Sequence, residues 1–222
     1  MVVVIVFSIF LKYAIIYIAL FKIINIDIMT PKFDSHESFY HGLVKSKLWL
    51  CEELETSMHI ECLSNPTLHI LGCWDNLLAF MLLTRKPEFY NVVYGYDINP
   101  EAIDNANKVC DMWKYESPKV YNYIQDVNDY DYSLHTNSIF INCSMDQMNN
   151  NKWYESIPKY SLICIQTTNM TDTEFPWLIK QTTDTLEELV DRFNFSMLLY
   201  SGVKHLPYST TGYKRFMIIG RK

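Results

Sequence analysis

Two adjoining segments constrain the fold of this chain more than anything else in it. "TLHILG" (67–72) is a short continuous apolar run, and "DNLLAFMLLTRK" after it has helical length and composition. "NVVYGYD" (91–97) is a second apolar run that ends in an acid, and "PEAIDNANKVCDMW" is helical again. Strands that are apolar along their whole length must be covered on both faces, and such strands joined by helices pair in parallel. Asp75 is expected to cap the first of these helices and Pro87 to stop it. Pro100 suits the first turn of the second helix, with Glu101 and Asp104 near the positive end of its dipole.

The alternation extends in both directions. Upstream, "HGLVKSKLWLCEELETSM" sets Leu43, Val44, Leu48, Leu50, Cys51 and Leu54 on one helical face and Glu52, Glu53 and Glu55 on the other. Downstream, "VYNYI" (120–124), "SIFINC" (138–143) and "SLICIQ" (161–166) read as strands, followed by the helix "TDTLEELVDRF" and the runs "FSMLLYSG" and "YKRFMIIGRK". The interval from Val203 to Gly212, which holds Pro207, is too short for a crossover helix, so the last two runs are expected to form an antiparallel hairpin. With 222 residues and no low-complexity linker, one α/β domain with a doubly wound, mostly parallel sheet is expected over residues 29–222.

Residues 1–28 stand apart. They are apolar from Met1 to Leu11 and from Tyr13 to Phe21, with Lys12 between the runs. A spanning helix needs about 20 mostly apolar residues and tolerates a mid-span lysine poorly. No positive leading region or small-residue cleavage site marks a signal peptide. Three readings stay open: translation beginning at Met29, a membrane anchor, or an ordinary packed element. A cytoplasmic location is expected unless the segment is an anchor.

A formal charge of −6 supplies no basic field for gripping nucleic acid, which favours small molecules or proteins as partners. The six cysteines form no CxxC pair and no Cys/His metal spacing; Cys73, Cys143 and Cys164 lie in or beside apolar runs, where a thiol behaves as a small hydrophobe, and no metal is expected. Three sequons, at Asn142, Asn169 and Asn194, read as chance matches, since the first closes an apolar strand.

In a doubly wound sheet the ligand lies beyond the carboxyl ends of the strands, where the strand order reverses. The tips expected there are Gly72-Cys73-Trp74, Asp97-Ile98-Asn99, Asp126-Val127-Asn128, Asn142-Cys143-Ser144 and Gln166-Thr167, all more polar than the strands they end. Asp97 is placed to accept hydrogen bonds from both hydroxyls of a ribose, or else to initiate the helix after it. Asp126 is either an adenine contact or a loop acid. Asn142 either caps its strand or faces the reacting group, and Trp74 is either core or a stacking residue.

"HILG" with its helix, "VVYGYDINPEAIDNAN", "YIQDVND" and "IFINCS" together resemble the successive motifs of class I S-adenosylmethionine-dependent methyltransferases. "SKLWLCEELE", "INCSMDQM", "WYESIP", "IQTTN" and "YKRFMIIGRK" resemble, more narrowly, small methyltransferase-like proteins of phages, other viruses and metagenomes. The likeness covers roughly residues 38–222. It implies a Rossmann-like, seven-stranded sheet with the final hairpin inserted antiparallel, and S-adenosylmethionine as cofactor. By position, Gly72 would admit the methionine portion, Asp97 with Ile98 would hold the ribose, Asp126 and Val127 would frame the adenine, Trp74 would lie alongside, and Lys47 would meet the carboxylate. Asn142, Ser144 and Asp146 would orient or deprotonate the acceptor.

The chain departs from the family's acid-x-Gly-x-Gly-x-Gly turn, keeping one glycine in Leu71-Gly72-Cys73-Trp74-Asp75. That absence argues against a dinucleotide, whose pyrophosphate needs close backbone approach, and matters less for a methionine group. "INCS" stands where an NPPY-like tetrapeptide would mark amide- or adenine-directed enzymes, so the methyl acceptor is open among a small molecule, a peptide and an RNA held by a partner subunit. The rival expectations are a non-catalytic binding or scaffold protein of the same fold, and another enzyme acting on the same cofactor, such as a lyase.

Overall fold

The computed structural model describes residues 41–111, 118–170, 179–206 and 212–222; the hydrophobic N-terminal segment, with its three readings, lies outside them. Helix α1 (His41–Ile60) leads into β1 (Thr67–Leu71), α2 (Leu77–Arg85), β2 (Val92–Asp97), α3 (Pro100–Asp111), β3 (Lys119–Ile124) and β4 (Ser138–Asn142). There follow α4 (Lys152–Ser156), β5 (Leu162–Thr168), α5 (Leu186–Arg192), β6 (Met197–Leu206) and β7 (Tyr213–Arg221). The strands form a seven-stranded sheet in the order β3-β2-β1-β4-β5-β7-β6. β1 pairs in parallel with both β2 and β4, so the order reverses at β1. β7 lies antiparallel between β5 and β6, which is the expected C-terminal hairpin in a Rossmann-like, doubly wound sheet.

The burial of each strand follows its composition. Every residue of β4 and β5 is buried, which is what "SIFIN" and "LICIQTT" require of central strands. On one face of the sheet Leu68, Ile70, Val93, Ile139 and Cys164 pack with Leu50, Leu54 and Met58 of α1, Leu78 and Leu82 of α2 and Ile103 of α3. The spacing 50, 54, 58 is one stripe of a helix. Trp49 Nε1–H donates to Tyr200 Oη at 3.0 Å and Arg85 pairs with Glu55 at 2.6 Å, tying α1 to the C-terminal hairpin and to α2. On the other face Leu71, Tyr96, Phe140, Ile163 and Ile165 pack with Trp153 of α4 and Leu189 of α5. Cys51, Cys73 and Cys164 are buried, Cys51 and Cys164 completely, as small apolar side chains.

Three details differ from the sequence reading. Asp75 is not the helix cap: Asn76 occupies that position in a left-handed conformation, and the buried Asp75 accepts the Leu77 N–H at 3.2 Å. β3 is an edge strand, with Tyr121, Tyr123 and Ile124 exposed, because among the described residues the sheet ends there. The crossover from β3 to β4 contains no helix. Asp126 and Asp131 instead fold it into turns by accepting the Asn128 and Ser133 N–H groups, and the fully buried Tyr132 anchors it to the sheet. Among the described residues no helix is long and apolar enough to cross a membrane. The sequon at Asn142 falls on a fully buried side chain, which no glycan can reach.

Candidate functional site

The site is built where β1 hands over to α2. Gly72, Trp74 and Asn76 have φ values of 67°, 52° and 53°, so alternate residues of the turn are left-handed. These are the three places that glycines occupy in the family's turn. The geometry of a glycine turn is therefore kept with only one glycine, and the strain at the other two is borne by hydrogen bonds. The Cys73 N–H donates to Tyr96 O at 2.8 Å, and the Trp74 N–H to Asp97 Oδ2 at 2.9 Å. Asn76 Nδ2–H donates to Asn122 Oδ1 at 2.7 Å in a slot that β2 leaves open at Gly95, where a Cβ would lie 2.6 Å from Asn76 Nδ2.

Asp97 ends β2 half-buried beside this turn, and its second oxygen accepts the Asn99 N–H at 2.9 Å. It thus both braces the turn and initiates α3, while each carboxylate oxygen retains acceptor capacity toward solvent. Ile98 is 68% exposed, an apolar side chain held out at the strand tip. Asp126 at the end of β3 accepts the Asn128 N–H at 2.9 Å, and the Gln125 N–H donates to Asp97 O at 2.8 Å, which holds the β2 and β3 tips together. Val127 is buried in the second core, so its side chain supports the tip from beneath.

The β4 tip closes the other side of the turn. Asn142 is fully buried, accepting the Ser144 N–H at 3.0 Å and donating to Met148 Sδ at 3.4 Å. The Ser144 hydroxyl donates to Gly72 O at 2.9 Å, and a Cβ on Gly72 would lie 2.8 Å from Ser144 Cβ. Asp146 lies farther along, buried, with Arg215 Nη1 3.7 Å from its Oδ2. Asp146 Oδ1 and Arg215 Nε are both enclosed without a hydrogen-bond partner. Arg215 Nη2–H donates to Cys143 O at 2.6 Å, joining β7 to the same tip.

Lys47 reaches this region from α1. The residue is half-buried, and desolvation holds its pKa below the usual lysine value. Cys143 and Asp75 act against the shift and Arg215 adds to it. Burial raises the Asp146 carboxyl above its ordinary value, with Arg215 opposing. It likewise raises the Cys143 thiol, against the pull of Arg215 and Lys47.

The arrangement is a reversal point in a sheet, with a braced turn, two strand-end acids and a desolvated lysine. It can hold a ligand with vicinal hydroxyls at one end and an anionic group at the other. Trp74 and Asp97 are joined through the Trp74 N–H, and Ser144 and Gly72 through the Ser144 hydroxyl, whereas Asp146 belongs with Arg215. The sequence reading passed over Asn76 and Arg215 and named Gln166 only as a strand tip. Their signals were an asparagine two residues beyond Trp74, a charged residue inside an apolar final strand, and a glutamine closing an otherwise apolar one. Among the described residues no group of three or more His, Cys, Asp or Glu side chains is placed to hold a metal ion.

No family model and no curated protein matches the chain by sequence. Solved structures do share its fold. The small RNA methyltransferase HEN1 superposes with a TM-score of 0.53 and 22% identity over 79% of this chain, which spans only 26% of that one. Magnesium protoporphyrin IX methyltransferase from Synechocystis PCC 6803, solved with bound S-adenosylmethionine, gives 0.56 and 13% identity over 86% of each chain. The plantazolicin methyltransferase BpumL, solved with S-adenosylhomocysteine, gives 0.54 and 12% identity over 79% of this chain and 84% of that one.

Proposed function

We propose that this protein is an S-adenosylmethionine-dependent methyltransferase. The observation that carries the reading is the switch-point turn, left-handed at Gly72, Trp74 and Asn76 and fastened by the Trp74 N–H to Asp97. The residues present fit the cofactor. Asp97 has acceptor capacity left for ribose hydroxyls, exposed Ile98 offers an apolar surface, and the half-buried Lys47 has no carboxylate within ion-pairing distance among the described residues. Asp126, with Val127 beneath it, would meet the adenine, and Gly72 with Trp74 the methionine portion.

When bound, the cofactor supplies a methyl carbon whose bond to sulfur breaks as an acceptor attacks, leaving a neutral thioether. The protein's task is alignment of the two reactants and exclusion of water. Ser144, fixed by its bond to Gly72 O, and the Asn142 beneath it would orient the acceptor. Asp146, made more basic than an ordinary carboxylate by burial, would take its proton where the acceptor is a weak nucleophile. The acceptor is a small molecule, a peptide or an RNA; by their names the similar solved proteins act on all three kinds. The narrower likeness to small viral and phage proteins rests on the segments quoted for it.

One observation favours the non-catalytic alternative. Ser144 and Met148 fill the space over Gly72, with Met148 Cε 3.2 Å from the position of a Cβ, so the turn is already packed. Mass spectrometry of the reaction separates the readings. With S-adenosylmethionine and a panel of extracts, transfer yields S-adenosylhomocysteine and a product heavier by one methylene. Cleavage without a methylated product identifies a lyase, and an unchanged cofactor that the folded protein does not retain identifies a scaffold.

A further inference from the structure

Gln166, at the carboxyl end of β5, is fully buried and makes three polar contacts. It accepts from the Ser46 hydroxyl at 3.1 Å, donates to Ser46 O at 3.2 Å and donates to Met217 Sδ at 3.4 Å. Two of these contacts grip a single residue of α1, once on its side chain and once on its backbone. A pair of bonds to one residue fixes a helix both along its axis and about it, which apolar packing does less sharply because a stripe of Leu side chains can slide or roll. Elsewhere α1 meets the sheet through the apolar Leu50, Cys51, Leu54 and Met58 and through one further polar contact, the Trp49–Tyr200 hydrogen bond to β6. A fully buried amide adds little net stability there, since exchanging both partners for apolar groups of similar shape is close to neutral.

The residue after Ser46 is Lys47, a half-buried cation whose electrostatic neighbours are Cys143 at the β4 tip, Asp75 in the β1 turn and Arg215. A small roll of α1 would carry that ammonium out of the site while leaving the apolar stripe in contact with the sheet.

We propose that Gln166 is a positioning residue: by clasping Ser46 it sets the rotation of α1 that holds Lys47 at the switch point, as the anchor for the carboxylate of an amino-acid-bearing ligand. The inference rests on the cofactor reading above. It adds that the site distinguishes a ligand with the amino-acid tail from one without it, through a contact that Gln166 never makes itself.

The test is calorimetric titration of the full chain with two probes, S-adenosylhomocysteine and methylthioadenosine, which share the nucleoside and thioether but differ in the carboxylate-bearing tail. The wild type is expected to prefer S-adenosylhomocysteine by at least roughly tenfold, the size of one charge-assisted hydrogen bond. Lys47→Met is expected to abolish that preference. Gln166→Met and the milder Ser46→Ala, which leaves the Gln166 amide donating to the backbone, are expected to reduce it at least about threefold with methylthioadenosine affinity unchanged. The inference is overturned if both clasp variants weaken the two probes equally, as a purely structural residue would, or if they leave the preference intact while Lys47→Met removes it. A folded wild type that binds neither probe overturns the cofactor reading itself, and a wild type that binds both equally overturns only the role given to Lys47 and its clasp.

Discussion

At the turn after β1, the conformation of a glycine loop is carried by residues that dislike it. A non-glycine residue in the left-handed region costs on the order of 1 kcal/mol, so Trp74 and Asn76 are held there by their surroundings. Gly72 has the additional constraint of Ser144, and Gly72→Ala is expected to destabilise the protein by about 1–3 kcal/mol in a urea titration. Trp74→Gly separates strain from function: stability is expected to change by less than about 1 kcal/mol, while affinity for S-adenosylhomocysteine falls. A larger loss of stability with unchanged affinity would return Trp74 to the core. Counting glycines in the sequence could not reveal this turn, because its φ values depend on contacts with Tyr96, Asp97 and Asn122 that lie on other strands. Asp97 itself was legible, since an acid ending the second strand is a local pattern; that it braces the turn and initiates α3 together was not.

Individual elements were read most easily where their apolar pattern was long. β4, β5 and β7 are buried almost throughout, and their sequences are continuous runs. The β3–β4 crossover was opaque because its structure comes from aromatic side chains meeting across the sheet. His69 on β1 is fully buried, stacked 4.7 Å from Phe140, 4.6 Å from His135 in an edge contact, and hydrogen-bonded to Tyr96 Oη at 3.0 Å, while its Nε2 has no partner. Burial depresses its pKa to about 3, with His135 adding to the shift. Because the unfolded chain takes up that proton near pH 6.5 and the folded chain does not, stability is full above that pH and declines as the pH falls toward 3. Denaturant titrations at pH 7 and pH 5 are expected to show the loss, and His69→Phe to reduce it. At the other end of the fold, the Lys222 ammonium donates to the carbonyls of Tyr154, Glu155 and Ile157 at 2.5–2.8 Å, closing α4. Lys222→Ala is expected to cost about 1–2 kcal/mol, measured by thermal unfolding.

Across the whole described domain, the chain's last strand is internal to the sheet. β7 sits between β5 and β6, and Arg221 pairs with Glu61 at 2.7 Å beyond the end of α1. Removing residues 213–222 is therefore expected to abolish folding, as judged by loss of the cooperative unfolding transition, since it splits the sheet and opens both cores. The final hairpin followed from the shortness of its connection, which is local. The clasp of Ser46 by Gln166 and the pairing of Asp146 with Arg215 did not, because each joins residues far apart in the chain. The same wiring gathers the β1, β2 and β4 tips into one site at the point where the strand order reverses, where the proposed ligand is a nucleoside bearing a sulfonium amino-acid tail. Calorimetric titration of S-adenosylhomocysteine into the full chain and into Asp97→Ala tests this proposal most directly. The wild type is expected to show one binding site and the variant an affinity at least roughly tenfold weaker, with both proteins giving native circular-dichroism spectra. A folded wild type that takes up no ligand, or a variant that binds as tightly as the wild type, would contradict it.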